Sequence, residues 1–390
     1  MAISTRHRKL AHSGVQAAIL IIAGGRGTRF WPESRINRPK PLFSIDGKTS
    51  LLATTVARMR PLIARERIFV LASADQAPLF RPVLKTLIPQ RNLIVEPEGR
   101  GTAVAIAYGT GVIAERLGDE TVIGIMPADH YVTPAAAFQR TLDEAVGLAA
   151  TRSAIVVIGI KPTRPETGYG YLKIGKPVKR AGASVKILLG DQKGKEATQL
   201  RFEVADLAFK LDRFVEKPRV AIALRMIRSG SYLWNAGMFV MSAATLDAEL
   251  TEHAPALAEA MRSFASMTTT QLESHYRALE FDSFDRVVAE KSRNVFGVRA
   301  RFQWHDVGSW EGLWQALRGR SRNLLMGNVL EIGADGVLAR TRNHLMVLLG
   351  VKDIVAIETP DVILIANRTQ SQDVRKVIAE LERRGARNYL

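Results

Sequence analysis

The sequence predicts an α/β fold: a mostly parallel sheet covered by helices, followed by a small C-terminal β-rich appendage. Three observations predict it. Short, continuously apolar runs recur through the first part of the chain, stretches of helical period alternate with them, and beyond about residue 322 the texture changes to brief strand-like runs cut by turn signals.

The first strand is read at "AAILII", 17–22, which is apolar at every position, as a strand buried on both faces must be. "RIFVLA" (67–72), "NLIVEP" (92–97), "TVIGIMPADH" (121–130) and "AIVVIGI" (154–160) share that character. Between them lie "SLLATTVARMRPLI", "GTAVAIAYGTGVIAERL" and "AAAFQRTLDEAVGLAA", whose apolar residues recur at helical spacing. Strand and helix in alternation imply right-handed crossovers and a Rossmann-like parallel sheet, with ligands at the carboxyl ends of the strands. The glycine turn after Ile22, "EPEGRGTA" after Val95 and "PADH" after Met126 fall at such ends. The segment 176–201 is Lys- and Gly-rich and reads as a solvated excursion. After "SWEGLWQALR" come "GNVLEIGADGVLAR", "HLMVLLG", "DIVAIET" and "DVILIAN", closed by an amphipathic helix at "SQDVRKVIAELERR". The expected organisation is a basic N-terminal extension at 1–16, a catalytic domain at 17–322 and a β-rich segment with its closing helix at 323–390.

Composition narrows the function. At 390 residues the chain can bury a sizeable core, and 47% hydrophobic with 24% charged residues is ordinary for a globular protein. The 55 Lys and Arg against 38 Asp and Glu give a net charge of +17, which favours phosphorylated or polyanionic partners. Nucleic acid is disfavoured, because the cations are spread along the chain and aromatics are only 7%. The absence of cysteine excludes disulfides, thiolate metal sites and a cysteine nucleophile. No apolar run reaches the roughly 18 residues that span a bilayer, so no membrane partner is expected. The basic, polar start lacks the apolar core of a secretory signal and is read as an extension rather than a transit peptide, leaving a cytoplasmic enzyme as the expectation.

The densest signal is "IIAGGRGTRFWPESRINRPKPL", 21–42. Two phosphate-binding templates fail on it. A dinucleotide fingerprint needs glycine where Phe30 stands, and the phosphate loop of NTPases needs glycine at Leu42 before "GKT". What remains is a strand, glycines at 24, 25 and 27 whose amides can close on a phosphate, Thr28 and Arg29 as side-chain donors, and Lys40 aimed by Pro39 and Pro41.

This constellation resembles the sugar-1-phosphate nucleotidyltransferases, with signature G-G-x-G-T-R-L-x-P and a Pro-Lys downstream, and the Trp31-Pro32 step points to their mannose-1-phosphate guanylyltransferase branch. "EPEGRGTA", "MPADH", "TGYGYLKI", "FVEKP" (214–218), "YLWNAGMFV" (232–240), "EKSRNVFGV" and "WHDVGSW" (304–310) follow in the family's order, and the tail resembles its C-terminal β-rich segment. The isomerase domain of longer bifunctional members is expected to be absent. Three positions depart from the pattern: Arg26 replaces a small residue, Pro41 a common glutamine, and Gly101 an asparagine. The excursion at 176–201 is also longer than usual.

The resemblance implies the chemistry. A sugar-phosphate oxygen attacks the α-phosphorus of GTP and pyrophosphate leaves, which needs positioning and charge neutralisation but no covalent nucleophile. GTP and mannose 1-phosphate are the implied substrates, Mg2+ the cofactor, and a homodimer the expected assembly. Asp129 and Asp306 would hold the metal, as magnesium favours one or two carboxylates with phosphate oxygens. Without it the two carboxylates are expected to stand unpaired and repel. Arg29 and Lys40 would neutralise the triphosphate, and Lys217 would meet the sugar phosphate. Gly24, Gly25, Gly27, Thr28, Arg100 and Thr102 would bind the nucleotide, while Glu216, Asn235, Gly237 and Gly168, with Tyr169 beside it, would enclose the sugar. His130 is read as a supporting residue, and Asp285 and Glu290 occupy family-like places without an assigned role. The same chemistry on another nucleotide or hexose 1-phosphate, and a non-catalytic regulatory subunit that senses nucleotide sugars, are the alternatives.

Overall fold

The computed structural model of the chain describes residues 15–178 and 207–390, apart from positions 26 and 61. Most of the N-terminal extension, Arg26 and nearly all of the basic excursion lie outside the described residues.

In chain order the elements of the main unit are β1 (Ala17–Ile22), α1 (Leu51–Met59), β2 (Ile68–Ser73), α2 (Ala77–Leu84), β3 (Leu93–Glu96), α3 (Thr102–Leu117), β4 (Val122–Pro127) and β5 (Tyr131–Thr133). These are followed by α4 (Ala135–Arg152), β6 (Ile155–Ile160), β7 (Tyr171–Pro177), β8 (Ala208–Val215), α5 (Val220–Arg228) and β9 (Tyr232–Ser242). Then come α6 (Ala243–His253), α7 (Pro255–Ser263), α8 (Thr269–Ala278), β10 (Val295–Arg299), β11 (Gln303–His305) and α9 (Trp310–Leu317). Helix starts follow from local chemistry: Ser50, Ser242 and Ser309 each accept a hydrogen bond from a backbone amide of the first turn of α1, α6 and α9.

The central sheet runs β3-β2-β1-β4-β9-β6-β10-β8-β7. From the pairings, β1, β2, β3, β4, β6, β7 and β10 point one way, while β8 and β9 oppose them. The sheet is thus mostly parallel but mixed. Both faces are covered, and successive residues of β1 divide between them: Ala18 and Leu20 pack on the side of α3, and Ala17, Ile19 and Ile21 on the side of α1 and α4. That division explains the unbroken apolar runs.

The C-terminal part holds β12 (Leu324–Met326), β13 (Val329–Ile332), β14 (Leu338–Arg340), β15 (Met346–Leu349), β16 (Ile354–Glu358), β17 (Ile363–Asn367) and α10 (Val374–Arg383). A four-stranded sheet β12-β14-β16-β17 and a pair β13-β15 give it a β-helix-like form. This segment is not a loose appendage. Leu338, Val355, Ile357, Leu364 and Val374 share one buried core with Phe30, Trp31, Phe43 and Trp310. Burying a large apolar side chain contributes roughly 1.5–3 kcal/mol, so this shared core ties the two parts together.

Candidate active site

The register of the sheet creates the site. Ile22 pairs with Pro127, so the glycine loop after β1 and the turn after β4 leave the sheet side by side. The Ala128 amide donates to the Ile22 carbonyl at 3.1 Å and locks them together. Gly27 has φ of 60°, and a Cβ there would lie 2.3 Å from the Lys40 Cβ, so only glycine lets the loop seat against the lysine.

Lys40 is buried, and its Nζ donates to Asp129 Oδ2 at 2.6 Å and to the Asp306 carbonyl at 2.9 Å. The Tyr169 hydroxyl donates to Asp306 Oδ1 at 2.6 Å. Two segments far apart in the chain therefore meet at one ammonium. The carboxylates are not an unpaired, repelling couple, which corrects the expectation from the sequence: Lys40 is Asp129's counter-charge and Tyr169 engages Asp306. Burial opposes ionisation of Asp129, but the Lys40 charge and hydrogen bond outweigh it and hold the carboxyl below its ordinary value. His130 is pushed down to about 4 by burial despite the pull of Asp129, so it is neutral near pH 7, and its Nδ1 accepts from Trp304 Nε1 at 3.1 Å.

The second half of the site lies across β9. Asn235 Nδ2 donates to Asp285 Oδ1 at 2.7 Å, while its Oδ1 accepts from the Gly237 amide at 3.0 Å, which fixes the orientation of the side-chain amide. Burial, then the negative charge of Glu216, pushes Asp285 up to about 6. The Asn235 backbone amide donates to the Gly170 carbonyl at 2.8 Å, and a Cβ on Gly170 would meet Glu216 Oε2 at 2.8 Å. Lys217 Nζ donates to Glu216 Oε1 at 2.6 Å, and the Gly168 amide to Glu166 Oε1 at 3.1 Å. Tyr169 joins the halves, its ring edge-on to Trp234 and Trp304.

The remaining candidates are gathered less tightly. Gly24 and Gly25 are exposed, and Thr28 and Arg29 half-buried. Arg100 is engaged with Glu98 at 2.6 Å, and the Thr102 hydroxyl accepts from the Phe284 amide at 3.0 Å. At Gly101 the chain takes φ of 90°, with the Phe281 carbonyl 3.1 Å from where a Cβ would be, so the departure from asparagine matches a backbone that glycine adopts freely.

Sequence reasoning left Asp285 without a role, although it is a buried acid bonded to the candidate residue Asn235. It gave no role to Glu96, although that residue opens the motif "EPEGRGTA" at the end of β3. The Glu96 carboxyl accepts from the Tyr276 hydroxyl and lies beside Gly24. Burial pushes it up to about 7, against the lowering effect of Tyr276. The native state thus holds this proton where an unfolded chain, with the ordinary value of 4.5, has lost it. Its contribution to stability is complete below about pH 4.5 and is lost as pH rises through about 7. Glu96→Gln is accordingly expected to melt higher than wild type above pH 7 and to lose that advantage near pH 4.5, as melting curves across pH would show; equal shifts at all pH values would reject a buried proton.

Among the described residues no group of three or more His, Cys, Asp or Glu side chains is placed to share a metal ion. Asp129 and Asp306, brought to the same place by Lys40, nevertheless offer the hard carboxylate oxygens that magnesium takes one or two at a time alongside phosphate oxygens. No helix among the described residues is long and apolar enough to cross a membrane.

Known proteins resemble this chain in sequence and fold. Residues 18–322 match the family model of the nucleotidyl transferases, and residues 327–381 that of the MannoseP isomerase/GMP-like beta-helix domain. The mannose-1-phosphate guanylyltransferase of Salmonella montevideo is 32% identical over 93% of this chain and 73% of its own length. That of Escherichia coli (strain K12) is 30% identical over 95% and 74%. The crystal structure of mannose-1-phosphate geranyltransferase from Thermus thermophilus superposes with a TM-score of 0.81 at 31% identity, covering 94% of this chain and all of that one. Through residues 18–322 the chain belongs to the nucleotidyl transferase family, as an enzyme of sugar-phosphate nucleotidyl transfer related to the mannose-1-phosphate guanylyltransferases.

Proposed function

We propose that the chain joins GTP and mannose 1-phosphate, releasing pyrophosphate and forming GDP-mannose. The observation that carries this reading is the meeting of Lys40, Asp129 and Asp306 where β4 ends, beside the glycine loop and the linked residues Asn235, Asp285 and Glu216. The names of the relatives support the choice of base and sugar.

In the proposed reaction the amides of Gly24, Gly25 and Gly27 and the hydroxyl of Thr28 hold phosphate oxygens, with Arg100 and Thr102 near the nucleoside. Arg29 and Lys40 balance the charge that moves to the departing pyrophosphate. Glu216 and Asn235 accept from and donate to sugar hydroxyls, Gly237 and Gly168 line the pocket, and Lys217 turns from Glu216 to the sugar phosphate, aligning its oxygen behind the α-phosphorus. Asp129 and Asp306 would hold Mg2+, which when bound supplies charge neutralisation and fixes the triphosphate oxygens. A homodimer and a cytoplasmic setting belong to the same proposal; light scattering tests the first.

Pyrophosphate release measured over a grid of GTP, ATP, UTP and dTTP against several hexose 1-phosphates tests the assignment. GTP with mannose 1-phosphate is expected to be fastest. Faster turnover of another pair would move the specificity while leaving the chemistry, and inactivity across the grid would leave the regulatory-subunit reading.

A further inference from the structure

Glu33 lies between the glycine loop and Lys40, and its side chain is completely buried. Three guanidinium groups converge on it: Arg38 at 3.2 Å, Arg340 at 3.0 Å and Arg342 at 2.7 Å. A buried carboxylate must be paired, but one arginine would serve that need. Two of the three come from β14 and the turn after it, in the C-terminal segment.

Arg340 does more than neutralise Glu33. Its Nη2 donates to the Ser44 carbonyl at 2.9 Å, its Nη1 to the Ile45 carbonyl at 3.4 Å, and its guanidinium lies 4.8 Å from the Phe43 ring centroid. One planar fork therefore grips the chain on both sides of Lys40. Beneath the arch, Phe30, Phe43 and Trp310 form a ring cluster, with Phe30 and Trp310 4.8 Å apart, and the Lys40 ammonium stands 5.6 Å from the Phe30 centroid. The arch is thus closed at its ends by Arg340, floored by aromatic rings and fitted to Gly27 at its crown.

We propose that Arg340, braced by Glu33, is a positioning residue for Lys40, so that the C-terminal segment sets the aim of a lysine in the main unit without touching substrate. This rests on the reading of Lys40 given above. Arginine suits the task because its rigid fork spans a carboxylate and two carbonyls, which lysine cannot do.

Arg340→Met removes the fork but leaves Glu33 paired with Arg38 and Arg342. Arg340→Lys keeps a charge for Glu33 and serves if the first variant does not fold. In the folded, full-length protein kcat is expected to fall about tenfold or more in Arg340→Met, with KM for the sugar phosphate little changed, because displacement costs alignment rather than binding. In a Lys40→Ala background the same substitution should have no further effect on kcat, since there is no lysine left to misplace. A wild-type kcat in a folded variant, or an equal loss in both backgrounds, overturns the proposal. If Lys40→Ala itself retains full turnover, the reading of Lys40 has failed, and that result is distinct from a silent Arg340 in an enzyme that needs its lysine.

Discussion

Lys40→Ala is expected to lower kcat by about two orders of magnitude or more, because it removes a contact that strengthens as negative charge builds on the leaving pyrophosphate. The expectation follows from where the side chain is held. It is buried, wedged against Gly27, and its ammonium is fixed by the Asp129 carboxylate and the Asp306 carbonyl. A cation in such a place is already desolvated, so little reorganisation remains when phosphate oxygens arrive. Lys40→Arg should rescue little, since a planar guanidinium cannot occupy a space shaped for a compact ammonium over the Phe30 ring. Steady-state kinetics of pyrophosphate release decide the matter. Turnover within about threefold of wild type in Lys40→Ala would remove the lysine from the reaction and leave it as Asp129's partner alone.

The route to that lysine was partly written in the sequence. The runs that became β1, β2, β3, β4 and β6 were legible because strands covered on both faces leave no polar positions, and the loops at their ends carried the glycines and the Pro-Lys-Pro bracket. Strand direction was not legible. "YLWNAGMFVMS" is as apolar as its neighbours, and periodicity reports burial rather than polarity of the chain, so nothing in it told that β9 runs against β4 and β6. Contacts between distant residues were equally hidden. Nothing in the sequence singles out Glu33, which gains its role only when β14 brings Arg340 onto it, and Asp285 gains meaning only through Asn235. Lys40 was picked from its proline bracket and the two aspartates as a pair from the family pattern, yet the contacts of all three in the fold reverse the expected repulsion.

That pairing changes what the aspartate variants should do. Asp129→Asn and Asp306→Asn each keep the side chain's shape but remove one negative charge from the place where magnesium would sit, so each is expected to need more magnesium and, even at saturation, to turn over about a hundredfold more slowly. If both act on one ion, the double variant should be little worse than the poorer single one. Stability without ligands separates the two. Asp129 is the counter-charge of a buried lysine, so Asp129→Asn leaves that ammonium uncompensated and should lower the melting temperature, whereas Asp306 meets Lys40 through its backbone carbonyl and Tyr169 through its side chain, and asparagine retains an acceptor for the tyrosine. The Asp129 loss should also shrink at low pH, because wild-type Asp129, though held below its ordinary value, is protonated there and no longer pairs with the lysine. Magnesium titrations of pyrophosphate release, run beside melting curves on the metal-free proteins, read both effects. Wild-type activity with unchanged magnesium dependence in Asp306→Asn would reduce that residue to a partner of Tyr169; an undiminished melting temperature in Asp129→Asn would mean that the Lys40 ammonium does not depend on this carboxylate, and the site would be assembled around the lysine by Gly27 and the Asp306 carbonyl instead.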